Sequence, residues 1–129
     1  MNMKKTVLIL VAVILVAGSV TGASAQKSND SERGSLTWYN TNSHGAATHH
    51  GDSQLTFVQG ATLKLTKGSK STWVKVNDVC DGDACQDLDV DPSTFTRLGA
   101  SSSAGVITVT IECGKDGTRP MRKCLAGEG

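Results

Sequence analysis

The sequence predicts an all-β chain: one small domain closed into a barrel, with one short helix. Three observations carry this. Apolar and polar residues alternate with period two in several short runs, glycine-bearing turns such as "KGSKS" punctuate them, and one segment alone has the start and stop signals of a helix. A sheet this small protects its edge strands most simply by closing on itself.

The elements follow in chain order. Residues 1–25 read as a secretory signal peptide: a basic start "MNMKK", an apolar run "TVLILVAVILVAG", and small residues at Ala23 and Ala25 ahead of Gln26. The apolar run is shorter than the roughly 20 residues a membrane span needs. No cysteine lies near the cleavage site, so a lipid anchor there is not expected. Residues 26–33, "QKSNDSER", are polar and read as a disordered leader. The barrel domain is expected over residues 34–113. "SLTWY" opens it with strand-forming residues. "ATLKLTKG" puts Leu63 and Leu65 on one face and Lys64 and Thr66 on the other. "STWVKVND" turns Val74 and Val76 inward and Trp73 and Lys75 outward. "DPSTFTRLG" is the helix, with Asp91 as N-cap, Pro92 at the first helical position and Gly99 just past the end. Phe95 and Leu98 lie three apart and face the core together. "GVITVTIE" aligns Ile107, Val109 and Ile111 as the last strand. Residues 114–129 read as a solvated C-terminal tail containing "KDGTRPMRK".

Composition limits the function classes. Removing 25 of the 129 residues leaves 104, enough for one small domain. Loss of Lys4 and Lys5 takes the 13 basic residues to 11, against 12 acidic. A chain without net positive charge is a poor candidate for nucleic acid, which needs at least a local basic stripe. All four cysteines, Cys80, Cys85, Cys113 and Cys124, fall in the exported part, and an even number in a small exported domain reads as disulfides. Three pairings are open, and sequence proximity favours Cys80–Cys85 and Cys113–Cys124. Zinc usually takes two short-spaced ligand pairs; here the gaps are four and ten residues with no histidine nearby, so no metal is expected.

The stretch "VNDVCDGDACQDLDVDP" holds Asp78, Asp81, Asp83, Asp87, Asp89 and Asp91, half of the chain's twelve acidic residues. An EF-hand reading fails. With Gly82 at loop position six, Val79 would stand at position three and Leu88 at position twelve, where calcium needs oxygen ligands. Asp91 is a helix cap, and Asp81 and Asp83 flank a glycine turn. Asp87 is left undecided. Asp78 and Asp89 remain as the two serious candidates.

In this context the chain resembles the double-psi β-barrel domains of expansins, barwin-like proteins and rare lipoprotein A. The resemblance rests on "GSLTWYN", "VKVND", "CDGDAC", "LDVDPSTF" and "AGVITVTIE", in that order, over about Gly34 to Glu112. It implies a six-stranded double-psi β-barrel in which Thr37, Asp78 and Asp89 line one polysaccharide-facing groove, with Trp38 or Tyr39 placed to stack on a sugar. It implies no cofactor, a monomer, and a partner drawn from cell-wall polysaccharides: peptidoglycan, cellulose or chitin. After signal cleavage no membrane contact is expected, and the protein would be secreted or wall-associated. The sequence departs from the pattern in two places. Val90 stands where the family has the serine of "DLS", and "SHGAATHHGD" replaces a Cys-Gly. His49 and His50 read as exposed loop residues, and His44 has no assigned role. The chain has no room for the second domain of expansins, and shows neither the lipid anchor nor the peptidoglycan-binding repeat of rare lipoprotein A.

Two functions follow from these implications. The first is a wall-polysaccharide binding or remodelling module that works without hydrolysis. The second is a lytic transglycosylase with Asp78 or Asp89 as a general acid, since such a reaction can run with a single acid where ordinary hydrolysis needs a carboxyl pair.

Overall fold

A computed structural model describes residues 30–49, 55–80 and 85–126. The signal segment, the first part of the leader, His50, Asp81 and Asp83 lie outside the described residues. Six strands close into a barrel: β1 (Ser31–Trp38), β2 (Gly45–His49), β3 (Thr62–Lys67), β4 (Lys70–Cys80), β5 (Leu88–Val90) and β6 (Ile107–Cys113). The order around the barrel is β1-β5-β2-β4-β3-β6. β1 and β5 run parallel, as do β2 and β4; the other neighbours are antiparallel. The fold class read from the sequence is the one observed.

The alternation fills the barrel as its period dictates. Leu36, Leu63, Leu65, Val74, Val76, Leu88, Val90, Val109 and Ile111 point inward and are buried. Fully burying each aliphatic side chain is worth about 1.5–3 kcal/mol. The short helix α1 (Pro92–Arg97) packs against β4 and is capped by Asp91, whose side chain accepts from the Ser93 N–H. It contributes Phe95, and Leu98 follows it into the core. Gly99 stands in the left-handed region at φ 79°, the conformation that ends the helix cleanly. Among the described residues no helix is long and apolar enough to cross a membrane.

Two boundaries differ from the sequence reading. β1 begins at Ser31, because Ser31, Glu32 and Arg33 pair with Glu112, Ile111 and Thr110 of β6. Their polarity hid a strand whose partner supplies the apolar residues. The C-terminal segment is not a free tail either. Met121 and Cys124 are buried, Leu125 bridges Phe57, and the Met121 N–H donates to Asp30 Oδ1 at 2.9 Å. The Cys113–Cys124 disulfide, with Cα atoms 5.8 Å apart, ties this segment to the end of β6. A crosslink closing a loop of this size stabilises by about 3 kcal/mol in the chain-entropy account.

Candidate functional site

The register brings one row of residues across four adjacent strands. Thr37 of β1 pairs with Asp89 of β5, Asp89 pairs with Ala47 of β2, and Ala47 pairs with Asp78 of β4. On β1 and β5 the row faces outward, because Leu36, Leu88 and Val90 on either side are inside. Asp78 reaches it by a different route. Val74 and Val76 point inward, so strict alternation would send Asp78 inward too. Val76 pairs with Ala46 and Asp78 with Ala47, so Asn77 is an extra residue opposite no partner. This β-bulge shifts the phase of β4 by one and turns Asp78 out into the row, a common use of bulges near sites.

Hydrogen bonds hold the row together. Thr37 Oγ1 donates to Asp89 Oδ1 at 3.0 Å. The Tyr39 hydroxyl, reaching from just past β1 across to β4, donates to Asp78 Oδ2 at 3.1 Å. Asp78 Oδ1 accepts the Val79 N–H at 2.8 Å, so the carboxylate is fixed at both oxygens. Gln59 Nε2 donates to the Asp78 carbonyl at 3.0 Å. Thr41 hydrogen-bonds Tyr39 as well. In the ladder Ala47 of β2 separates the two aspartates.

Burial pushes the Asp89 carboxyl above the usual aspartate range, and the Thr37 hydroxyl partly offsets this. Burial also pushes the Tyr39 phenol up, lowered by Thr41 and raised again by the nearby Asp78 and Asp89 charges. The Cys80 and Cys85 sulfurs and an Asp89 oxygen lie within 4.8 Å of one another. The two sulfurs are joined in a disulfide, with Cα atoms 6.1 Å apart. They therefore have no thiolate to offer a metal, and act as apolar neighbours of the Asp89 carboxyl.

Of the residues singled out from sequence, the structure brings Thr37, Tyr39, Asp78 and Asp89 together. Trp38 is not among them. It shares the phase of Leu36, and its indole N–H donates to the Ser102 carbonyl at 2.8 Å, beside the 3-10 turn after α1. Asp87, undecided from sequence, is structural: its buried carboxylate accepts the Ser35 N–H and the Leu55 N–H, each at 2.9 Å. Gly34 makes room for it. A Cβ at Gly34 would lie 2.6 Å from Ile111 Cδ1 and 3.3 Å from the Asp87 carboxylate. His49 is no loop residue; it ends β2, half-buried, paired with Cys80.

Sequence reading missed a second cluster. The His44 ring stacks on Trp73, with centroids 4.0 Å apart and planes 5° from parallel. His44 adopts φ 65°, unusual for a residue with a Cβ, and its Nδ1 lies 2.7 Å from the Trp73 carbonyl, within reach of a donated hydrogen bond. The period-two pattern did mark Trp73 as outward. Nothing local in the sequence pairs it with His44, 29 residues earlier.

No family model and no curated protein matches the sequence. Solved structures do share its architecture. An aspartate-to-asparagine mutant of the Clavibacter michiganensis expansin, solved in complex with cellohexaose, superposes with a TM-score of 0.52 at 19% identity, covering 70% of this chain and 53% of that one. This chain thus spans about half of that expansin's length. Cerato-platanin 3 of M. perniciosa (TM-score 0.47, 14% identity, 65% of this chain and 95% of that one) and the Streptomyces papain inhibitor (TM-score 0.49, 16% identity, 66% and 94%) align over most of their own lengths. With its closed six-stranded barrel, the chain has a double-psi β-barrel fold of the kind seen in the expansin.

Proposed function

We propose that this is a secreted module that binds cell-wall polysaccharide through the row of Thr37, Tyr39, Asp78 and Asp89, without hydrolysing it. The observation that carries this reading is the row itself. Two carboxylates on different strands are each held by a hydroxyl side chain from β1 or the residue just after it. Carboxylates accept hydrogen bonds from sugar hydroxyls, and charge-assisted bonds of this kind are the stronger sort. The phenol offers a flat apolar ring for a pyranose face. Three interstrand spacings make the row about 14 Å long, which suits an oligosaccharide better than a single sugar. The bound cellohexaose in the expansin of the same fold makes cellulose the first polymer to test. Two disulfides fit an exported protein.

The test is retention of the folded protein on purified cellulose, peptidoglycan and chitin, with Asp78→Asn and Asp89→Asn as controls. The expected result is retention on at least one polymer, weakened by both variants, with no soluble sugar released. Absence of retention on all three overturns the proposal.

One observation favours a second reading. A carboxyl held above its usual range, as Asp89 is, suits a general acid. A lytic transglycosylase would then cut peptidoglycan strands with Asp89 as its acid. Product analysis on denuded glycan strands decides: anhydro-sugar ends lost on Asp89→Asn support cleavage, and none with the wild-type protein removes it.

A further inference from the structure

We infer that the outer surface around Trp73 is a second binding face, for an anionic glycan carrying about one negative charge per sugar. It rests on different residues from the row above and does not depend on the function proposed for that row. Lys64 stands directly opposite Trp73 in the β3–β4 ladder, and Lys75 lies two residues further along β4 on the same outer side. Lys115, from the turn after β6, holds its ammonium 4.6 Å from the centroid of the Trp73 indole. Arg97 of α1 brings Nη2 to 3.3 Å from His44 Nδ1.

This group is ordered before any ligand arrives. His44 stacks on the indole, and the indole in turn positions the Lys115 ammonium by cation–π attraction. Arg97 is tied by hydrogen bonds to Thr72 Oγ1 at 2.8 Å and Thr94 Oγ1 at 3.0 Å. The carboxylates beside the group are Glu112, opposite Lys64 on β6, and Asp91, joined to Arg97 through the Ser93 hydroxyl. Asp116 adjoins Lys115 and accepts from its own Thr118 hydroxyl. Lys64, Lys75, Lys115 and Arg97 against Asp91, Glu112 and Asp116 leave an excess of one positive charge on this surface.

Charge spacing selects the partner. Neighbours across an antiparallel ladder lie about 5 Å apart and residues two apart on a strand about 6.8 Å apart. Duplex DNA presents a charge every 1.7 Å or so, far denser than these cations can match. A polymer of uronic acids, with a carboxylate on each ring, is closer to their spacing. The same polymer would be repelled by Asp78 and Asp89, so it would settle on the Trp73 side.

Affinity electrophoresis of the full mature chain in gels containing polygalacturonate tests this, with fully methyl-esterified polygalacturonate and duplex DNA as the other arms. The expected result is retardation by the acid form, abolished by esterification, with weaker retardation by DNA at equal charge concentration. The Lys64→Gln/Lys75→Gln/Lys115→Gln variant should show a shallower log–log salt slope than wild type, by less than one unit for each ion contact removed, because counterion release falls with the polymer's charge density. Asp78→Asn should be retarded like wild type. The variant's unfolding curve checks that it is folded, and Lys115→Gln alone, on an exposed turn, serves if the triple variant is not. No retardation of wild type, unchanged retardation of the folded variant, or stronger retardation by DNA would each overturn the inference.

Discussion

β4 presents opposite chemistry at two places on one outer surface. Around Trp73 and Lys75 it is cationic and aromatic, in regular register with β3. Three residues on, at Asp78, it is acidic and bonded to a tyrosine from β1's end. What separates the two regions is the extra residue Asn77. The Trp73 side follows directly from alternation. The Asp78 side exists because alternation is broken once.

Breaking that difference should have the largest effect. Inserting an alanine between Ala46 and Ala47 gives Asn77 a partner on β2, restores strict alternation and drives the Asp78 carboxylate toward the barrel interior. Burying an unpaired carboxylate and slipping a register are both expensive. The expected loss is about 4 kcal/mol or more, enough to unfold a marginal domain. Denaturant titration followed by tryptophan fluorescence reads it. Insertion of a glycine between Gly68 and Ser69, in the two-residue turn that joins Lys67 to Lys70, provides the comparison, since it lengthens an exposed turn and leaves the bulge alone. An insertion between Ala46 and Ala47 that costs under about 1 kcal/mol would show that the bulge does not set the direction of Asp78.

The sequence carried the outward direction of Trp73 and Lys75 and the barrel's interior well, and for one reason. Period-two alternation is a local signal, and Leu63, Leu65, Val74, Val76, Ile107, Val109 and Ile111 all obey it. The helix was legible because its cap, its proline and its glycine lie within nine residues. What was hidden depends on partners distant in sequence. β1 and β5 pair across 52 residues, and only that pairing sets Thr37 beside Asp89. The strand character of Ser31–Arg33 comes from β6, not from its own composition. Tyr39 and Trp38 could not be told apart until the phase of β1 was known. The resemblance to known barrels supplied Thr37, Asp78 and Asp89 as a group, but not the bulge or the Tyr39 bond that holds Asp78.

A second contrast lies within a single short segment. Asp87 and Asp89 stand two residues apart, one bonded to two backbone N–H groups inside, the other facing the row. Asp87→Asn should cost about 2 kcal/mol, because an amide presents an NH2 to one of two N–H donors and leaves it unsatisfied in a buried place. Asp89→Asn should change stability by under about 0.5 kcal/mol, as expected of a partly open polar site. Equal costs for the two would remove the distinction between structural and site aspartates.

Tyr39→Phe is a smaller intervention. It removes one hydroxyl bond to a partly exposed carboxylate, worth about 0.5–1.5 kcal/mol. If the row binds glycan, polymer retention should weaken a few-fold, while polygalacturonate retardation on the Trp73 side stays as in wild type. A variant that weakened both would mean that the two regions are not independent.

The smallest effect is a pH dependence, and its sign separates Asp89 from a carboxylate in an ordinary salt bridge. Burial raises the folded-state pKa of Asp89 above its unfolded value. Between those two values the folded protein binds more protons than the unfolded chain, so stability falls as pH rises. The group therefore favours the folded state at pH below the ordinary aspartate value, near 4, and loses that contribution as pH climbs through the raised one. A salt-bridged aspartate would do the reverse. Comparing denaturant midpoints of wild type and Asp89→Asn from pH 3 to pH 7 isolates this contribution, because asparagine does not titrate. The difference between the two proteins should shift steadily in favour of the variant on going up through the window, and then level off. A difference that is flat across the range, or that shifts the other way, would mean that Asp89 is hydrated or paired in solution and is not suited to donating a proton.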